Sequence, residues 1–222
     1  MPIRGLVRAV NQAAIATDMP ARVAAIGFRE AQSFRKGDVL VRFDCERLNA
    51  EHAAAAAVHR EMKLTLDSNV ALDRRGAVGK IEVEVSRAKV DKAAAEAAAL
   101  AARVKQCTIV APFDGRVTEL AVNEHEFPQQ GKPVISIVAE NAFEIDIIVP
   151  STLLKRLGPG TAFKFAVDET GQTYDATLLR VGAAVDPVSQ TVKLIAAFKA
   201  GDTRILAGMS GTAAFPQTEG AQ

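Results

Sequence analysis

The sequence predicts an α+β protein: a β unit written in two halves, an antiparallel helical hairpin inserted between them, and a small β-barrel after the second half. Three observations carry that expectation. Arg22-Val23, Ile26, Glu30 and Gly37 recur as Arg116-Val117, Leu120, Glu124 and Gly131, every pair offset by 94 residues. About sixty residues of helix-forming, alanine-rich sequence separate the copies. Beyond the second copy come several short β-like runs of similar length, the pattern of a small closed barrel.

Taken in order, Ile3 to Val10, Ala13 to Thr17, Arg22 to Arg29 and Val39 to Phe43 read as short strands, punctuated by Asp18-Met19-Pro20 and Lys36-Gly37-Asp38. From Glu46 to Leu72 there is neither Gly nor Pro, and Leu48, Ala55 and Met62 recur every seven residues with His52, His59 and Leu66 interleaved. A second run, Lys80 to Gln106, places Val83, Val90, Ala97 and Val104 on one seam with Ala94 and Ala101 beside it. Two heptad-patterned runs joined through Arg74-Arg75-Gly76 and Gly79 predict an antiparallel coiled-coil hairpin, each arm about 40 Å long at 1.5 Å per residue. Ile109 to Ala111, Val117 to Val122 and Val134 to Val138 restore the β pattern. Then follow Phe143 to Val149, a short helix Ser151 to Leu157, and strands Ala162 to Val167, Tyr174 to Val185, Val192 to Lys199 and Gly211 to Phe215. The strand from Ile3 is expected to pair with these, which places 1–10 in the barrel.

The totals narrow the function. Of 222 residues, 49% are hydrophobic and 24% charged, the balance of a globular chain. A net charge of +1, 5% aromatic residues and no Trp leave neither a basic footprint nor a stacking platform for nucleic acid. No apolar run approaches the roughly 20 residues of a membrane span, and the first residues carry no signal-peptide pattern. Either a signal or anchor belongs to a longer protein, or the protein stays inside the cell.

Residues that could carry chemistry point elsewhere than to an enzyme. Cys45 and Cys107 flank the helical insertion, so they are a disulfide candidate if the helices return to their origin; the alternative is two unrelated buried thiols. His52 and His59, seven apart, are too far along a helix to chelate one metal as an i, i+4 pair does. Met1, Met19, Met62 and Met209 form no cluster in sequence. Glu124-His125-Glu126 reads as a solvated turn, and no serine or cysteine sits in a nucleophile-elbow context. No catalytic residue, cofactor or metal site is expected.

Ile109-Val110-Ala111-Pro112-Phe113-Asp114-Gly115-Arg116-Val117, Phe34 to Asp44, Val149-Pro150, Leu157-Gly158-Pro159-Gly160, Val185-Asp186-Pro187 with Thr191-Val192, and Ala207-Gly208-Met209 occur in a fixed order. In that order they resemble the periplasmic adaptor, or membrane fusion, proteins of tripartite efflux pumps and hemolysin-type secretion systems. The resemblance covers nearly the whole chain. It implies an elongated, non-enzymatic adaptor: a split lipoyl-like domain (11–44 plus 107–140), an α-hairpin (45–106), a barrel (1–10 plus 141–216) and a disordered tail (217–222). It also implies a periplasmic location, attachment to the inner membrane through a segment absent from this chain, an inner-membrane transporter as partner, an outer-membrane channel beyond, and self-association into a ring. A lysine carrier on a lipoyl-type turn is not expected, because the helices occupy that turn.

On this reading the hairpin tip, Leu72, Arg74, Arg75 and Val78, meets one partner, and the barrel loops at Gly158, Pro159, Gly160, Glu169 and Gly171 meet another. Two departures stand out. Channel-docking adaptors carry Arg, Leu and Ser at the tip; aligned on Leu72, this chain has Ser68 and Gly79 in place of the Arg and Ser. The glycine that precedes each motif's second strand is replaced by Ala31 and His125. The alternative is a freestanding coiled-coil envelope scaffold that joins no pump. Substrate, transporter and oligomer number are not encoded in any visible motif.

Overall fold

The computed structural model describes residues 3–140, 142–199 and 204–216. The expected tail, 217–222, lies outside them, as do residues 1–2, 141 and 200–203 of the expected barrel. In chain order the strands before the helices are β1 (Ile3–Ala9), β2 (Gln12–Ala16), β3 (Val23–Ile26), β4 (Ser33–Phe34) and β5 (Val39–Phe43). Helices α1 (Glu46–Asp73) and α2 (Lys80–Lys105) follow, then β6 (Thr108–Val110), β7 (Gly115–Leu120) and β8 (Pro133–Ala139). The last group is β9 (Phe143–Pro150), a 3-10 turn at Ser151–Lys155, β10 (Ala162–Val167), β11 (Gln172–Asp186), β12 (Thr191–Phe198) and β13 (Ser210–Ala214).

The chain on either side of the helices interlocks into two sheets. One has the order β2-β8-β7-β4 and the other β3-β5-β6, so each combines strands from before and after the helices. The 94-residue repeat is the reason. Gly27 N–H donates to Leu40 O at 2.9 Å and Ala121 N–H to Val134 O at 3.0 Å, the same bond in both copies. Ala31 N–H reaches Val117 O at 2.9 Å, and its counterpart His125 N–H reaches Val23 O at 2.8 Å. Side chains cross reciprocally as well: Glu124 accepts from Ile26 N–H at 3.1 Å, Glu30 from Leu120 N–H at 3.0 Å. The core is repeated with the backbone, since Val23, Leu40, Val41 and Phe43 are buried with Val117, Val134, Ile135 and Ile137. Alternate residues of short β-rich runs face inward, so two copies of one pattern build two faces of one core.

The helices leave and return at one place. Cys45 and Cys107, bonded to each other with Cα atoms 6.1 Å apart, hold the start of α1 beside the end of α2. The half-buried positions of α1 include Leu48, His52, Ala55, His59, Met62, Leu66, Asn69 and Asp73, alternately four and three apart. On α2 the corresponding set contains Val83, Ser86, Val90, Ala93, Ala97, Leu100 and Val104. Val83, Ser86 and Ala93 are the buried residues of α2, and Ala94 and Ala101 are half-buried beside the seam. Near the far end Asn69 Nδ2 donates to Ser86 Oγ at 2.6 Å, a polar contact that fixes the pairing of the two helices.

The remaining strands close a six-stranded barrel in the order β1-β13-β10-β11-β12-β9. Val7, Ile145, Ile147, Val149, Phe163, Phe165, Leu178 and Leu194 fill it. Two sequence expectations need correction. The strand expected over Arg22 to Arg29 is only Val23–Ile26, with a bend at Gly27, and β4 is not foreseen because two residues carry no period. The helix expected over Ser151 to Leu157 is a five-residue 3-10 turn.

Candidate functional site

At the hairpin tip α1 ends in a tight reversal. Gly76, at φ +73°, donates its N–H to Asp73 O at 2.8 Å, and Ala77 N–H reaches Leu72 O at 2.9 Å. These paired bonds make a Schellman cap, which satisfies carbonyls that the helix end would otherwise leave open. Leu72, Arg74 and Arg75 are exposed and Val78 is half-buried. The two arginines lie at the negative end of the α1 dipole, where cations are favourable. The tip is therefore a rigid knuckle carrying positive charge and one leucine.

The two sets of barrel-loop residues do not share a surface. Gly158 to Gly160 precedes β10 and Glu169 to Gly171 follows it, so they lie at opposite ends of that strand, about 20 Å apart at 3.3 Å per residue. Gly158-Pro159-Gly160-Thr161 forms a type II turn: Thr161 N–H donates to Gly158 O at 3.1 Å and Gly160 has φ +88°. Glu169 is occupied within the chain, accepting from Ser210 N–H at 2.9 and 3.1 Å, which lowers its pKa. Asp168 beside it is lowered by Arg4, whose guanidinium lies 2.6 Å away. The Glu169 end is also where β1 leaves the barrel for β2 and where β9 enters it. The other end of the barrel, where β1 begins and β13 finishes, carries the Gly158–Gly160 turn and the β11–β12 turn.

An outer-face ion network was missed by sequence reasoning. Glu144, 7% exposed, is bound by Arg8 and by Arg180 at 2.6 Å, while Asp146 is held by Arg8 Nε at 3.0 Å and Lys193 at 2.5 Å. The hydrogen bond to Asp146 raises the Arg8 pKa. Four strands are cross-linked by these five side chains, and Leu6 and Ile148 stand exposed beside them. The signal was available as alternate charged residues on β1 and β9, but it becomes a network only through strand pairing.

At the base of the hairpin, Met19 Sδ lies 3.4 Å from Cys45 Sγ. Both line a cavity of about 470 Å³ with Asp18, Asp44, Leu48 and Arg103. Asp44 is held below the usual carboxylate range by the Arg22 guanidinium. Met62 lies in α1 and Met209 precedes β13, so the fold does not gather the methionines; Met1 is outside the described residues. Among the described residues no group of three or more His, Cys, Asp or Glu is placed to hold a metal, and no helix is long and apolar enough to cross a membrane.

Comparison with known proteins gives the fold a context. No family model matches the chain. An uncharacterized protein of Haemophilus influenzae is 26% identical over 207 residues, which cover 92% of this chain and 54% of that protein, so the chain spans about half its relative's length. The membrane fusion protein Spr0693 of Streptococcus pneumoniae superposes with a TM-score of 0.81 at 15% identity, covering 99% of this chain and 100% of the other. A MacA–MexA chimera containing the Pseudomonas aeruginosa MexA α-hairpin domain gives 0.81 at 16% identity, over 97% of this chain and 80% of that one. The chain has the fold of membrane fusion proteins.

Proposed function

We propose that the chain is a non-enzymatic periplasmic adaptor that links an inner-membrane efflux or secretion transporter to an outer-membrane channel or to the envelope beyond. One observation carries this reading: two helices of about 40 Å leave and return at a single bridged point between two interlocked sheets, with a closed barrel attached to the same sheets. That is the layout of a connector, with an arm at one end and a docking module at the other. In this reading 45–106 is a coiled-coil hairpin, supported by the three-and-four spacing of its inner positions. Residues 11–44 and 107–140 form a split lipoyl-like domain, and 1–10 with 141–216 the barrel domain. Leu72, Arg74, Arg75 and Val78 meet the distal partner. Gly158, Pro159 and Gly160 meet the transporter, copies assemble into a ring, and Glu169 and Gly171 serve the barrel's inner end instead.

The test is export in the native envelope after deletion of Ser68 to Gly79, together with co-purification of the intact chain. Loss of export with retained transporter binding is the expected result; no transporter recovered with the intact chain would overturn the reading. A freestanding scaffold is the second reading, favoured by Ser68 and Gly79 at the tip, and it predicts that the deletion leaves export unchanged.

A further inference from the structure

The motif Val185-Asp186-Pro187 with Thr191-Val192 has a structural purpose that the connector role leaves unused. Asp186 pairs with Thr191 to close the β11–β12 hairpin, leaving four residues, 187–190, in the turn. The Asp186 carboxylate accepts from Val188 N–H at 3.0 Å, Ser189 N–H at 2.8 Å and the Ser189 hydroxyl at 2.9 Å. Those bonds, led by the Ser189 amide, depress its pKa. Ser189 Oγ lies 2.8 Å from Thr191 Oγ1, and Gln190, at φ +50°, accepts from Ser151 N–H at 2.9 Å. Pro187 fixes one more torsion. A surface turn is ordinarily among the softest parts of a protein; this one is restrained at every residue.

What the restraint holds out is apolar. Val188 is 93% exposed, the highest value among the exposed large hydrophobic residues described, and Val185 behind it is 44% exposed. We propose that 186–190 is a docking prong: Val188, backed by Pro187 and Val185, seats in an apolar pocket on a partner protein at the barrel end that carries the β11–β12 turn. The Gly158–Gly160 turn lies at the same end, so the prong adjoins the turn to which the proposed function gives a docking role. A protein pocket fits better than a lipid surface. Residues 181–192 contain no Lys, Arg or aromatic residue, and their one charge is the Asp186 carboxylate, whereas interfacial anchoring uses cations and larger apolar area. A rigid turn loses little freedom on entering a pocket, which is the condition under which one small side chain contributes measurably to affinity.

The identity of the partner as the transporter, and the docking role of the neighbouring Gly158–Gly160 turn, rest on the adaptor reading; the restrained turn and the exposed Val188 do not. The test places a photoreactive residue at position 188 of the full chain in its native envelope, with position 164 on the outer face of β10 as control. The expected result is cross-linking from 188, not 164, to one membrane protein identified by mass spectrometry. Asp186→Ala, which frees the turn while leaving Val188 in place, should lower the yield about tenfold, a loss of about 1.4 kcal/mol. Val188→Asp, which removes the apolar group, should cut recovery of that protein similarly, with an unchanged circular dichroism spectrum. Cross-links to lipid alone, to a second copy of the chain alone, or equally from 164 would overturn the prong, as would an Asp186→Ala yield equal to wild type. A transporter that co-purifies but never cross-links from 188 sinks the prong and leaves the adaptor reading standing. An Asp186-dependent cross-link to a protein that is no transporter supports the prong and counts against the adaptor reading.

Discussion

The two copies of the β motif reach the same backbone with different sequences, and their differences fall where the copies lead to different neighbours. Val23, Glu30 and Gly37 are repeated identically because each makes a bond or buried contact that its counterpart makes in reverse. Cys45 and Cys107 have alanines, Ala139 and Ala13, at the equivalent positions of the other copy. The bridge joins the two copies at the end of the β unit from which the helices depart, and the equivalent end, which continues into the barrel, has no such link. A second difference is β4: Phe34, 4% exposed, pairs with Gly115, whereas the equivalent residue is Pro128, which has no N–H, and Phe127 next to it is 66% exposed. The shared residues hold the β unit together; the unshared ones fit each copy to its neighbours.

The bridge gives the largest expected effect. Cys45→Ala with Cys107→Ala installs the residues of the other copy and frees a 62-residue loop, at a cost of up to about 4 kcal/mol in the loop-entropy model. Chemical denaturation with and without reductant measures it, and the double variant should be indifferent to reductant. If the loss is well under about 1 kcal/mol, the helix base is held by packing alone and the asymmetry between the two ends of the β unit has no energetic meaning.

Next comes a clash present in one copy only. A Cβ on Gly27 would sit 2.2 Å from the Val39 carbonyl oxygen, whereas the equivalent residue, Ala121, already carries one. Gly27→Ala should therefore destabilise by about 3 kcal/mol, as overpacking against a backbone does, and Ala121→Gly by no more than about 1. Similar losses for both would mean that the copies share one tolerance. Smaller still are the crossing carboxylates: Glu30→Ala and Glu124→Ala should each cost about 1 kcal/mol. Equal losses would show that the reciprocal bonds at 3.0 and 3.1 Å are energetic equivalents.

Much of this architecture could be read from the chain because it is written in periods. The 94-residue offset located the interlocked β unit, and seven-residue spacing located both helices to within a residue or two. Alternation gave β10 its observed bounds, Ala162 to Val167. What stayed hidden depends on pairing across space. β11 runs to Asp186 through register shifts after Leu178 and Val181 that leave no mark in its own sequence. The loops at Gly158 and Glu169 look alike as strings, and only strand direction puts them at opposite ends of the barrel. Glu169 reads as a free surface charge until Ser210, 41 residues away, is brought beside it.

The smallest effect tests the closest point of agreement between the copies. Ala31 and His125 both occupy the left-handed region, at φ 64° and 70°, in place of the glycine that the resemblance led one to expect. An L-residue there costs about 1 kcal/mol, while glycine loses part of that advantage through the greater freedom of the unfolded chain. Ala31→Gly and His125→Gly should each raise stability by about 0.5 kcal/mol, a rise of about 1–2 °C in Tm for a chain of this size. Because both amides donate across the repeat, to Val117 and Val23, the two gains should match. A gain at 31 with a loss at 125 would show that the His125 side chain contributes a contact worth more than its backbone strain, and that the second copy has departed from the first at this turn.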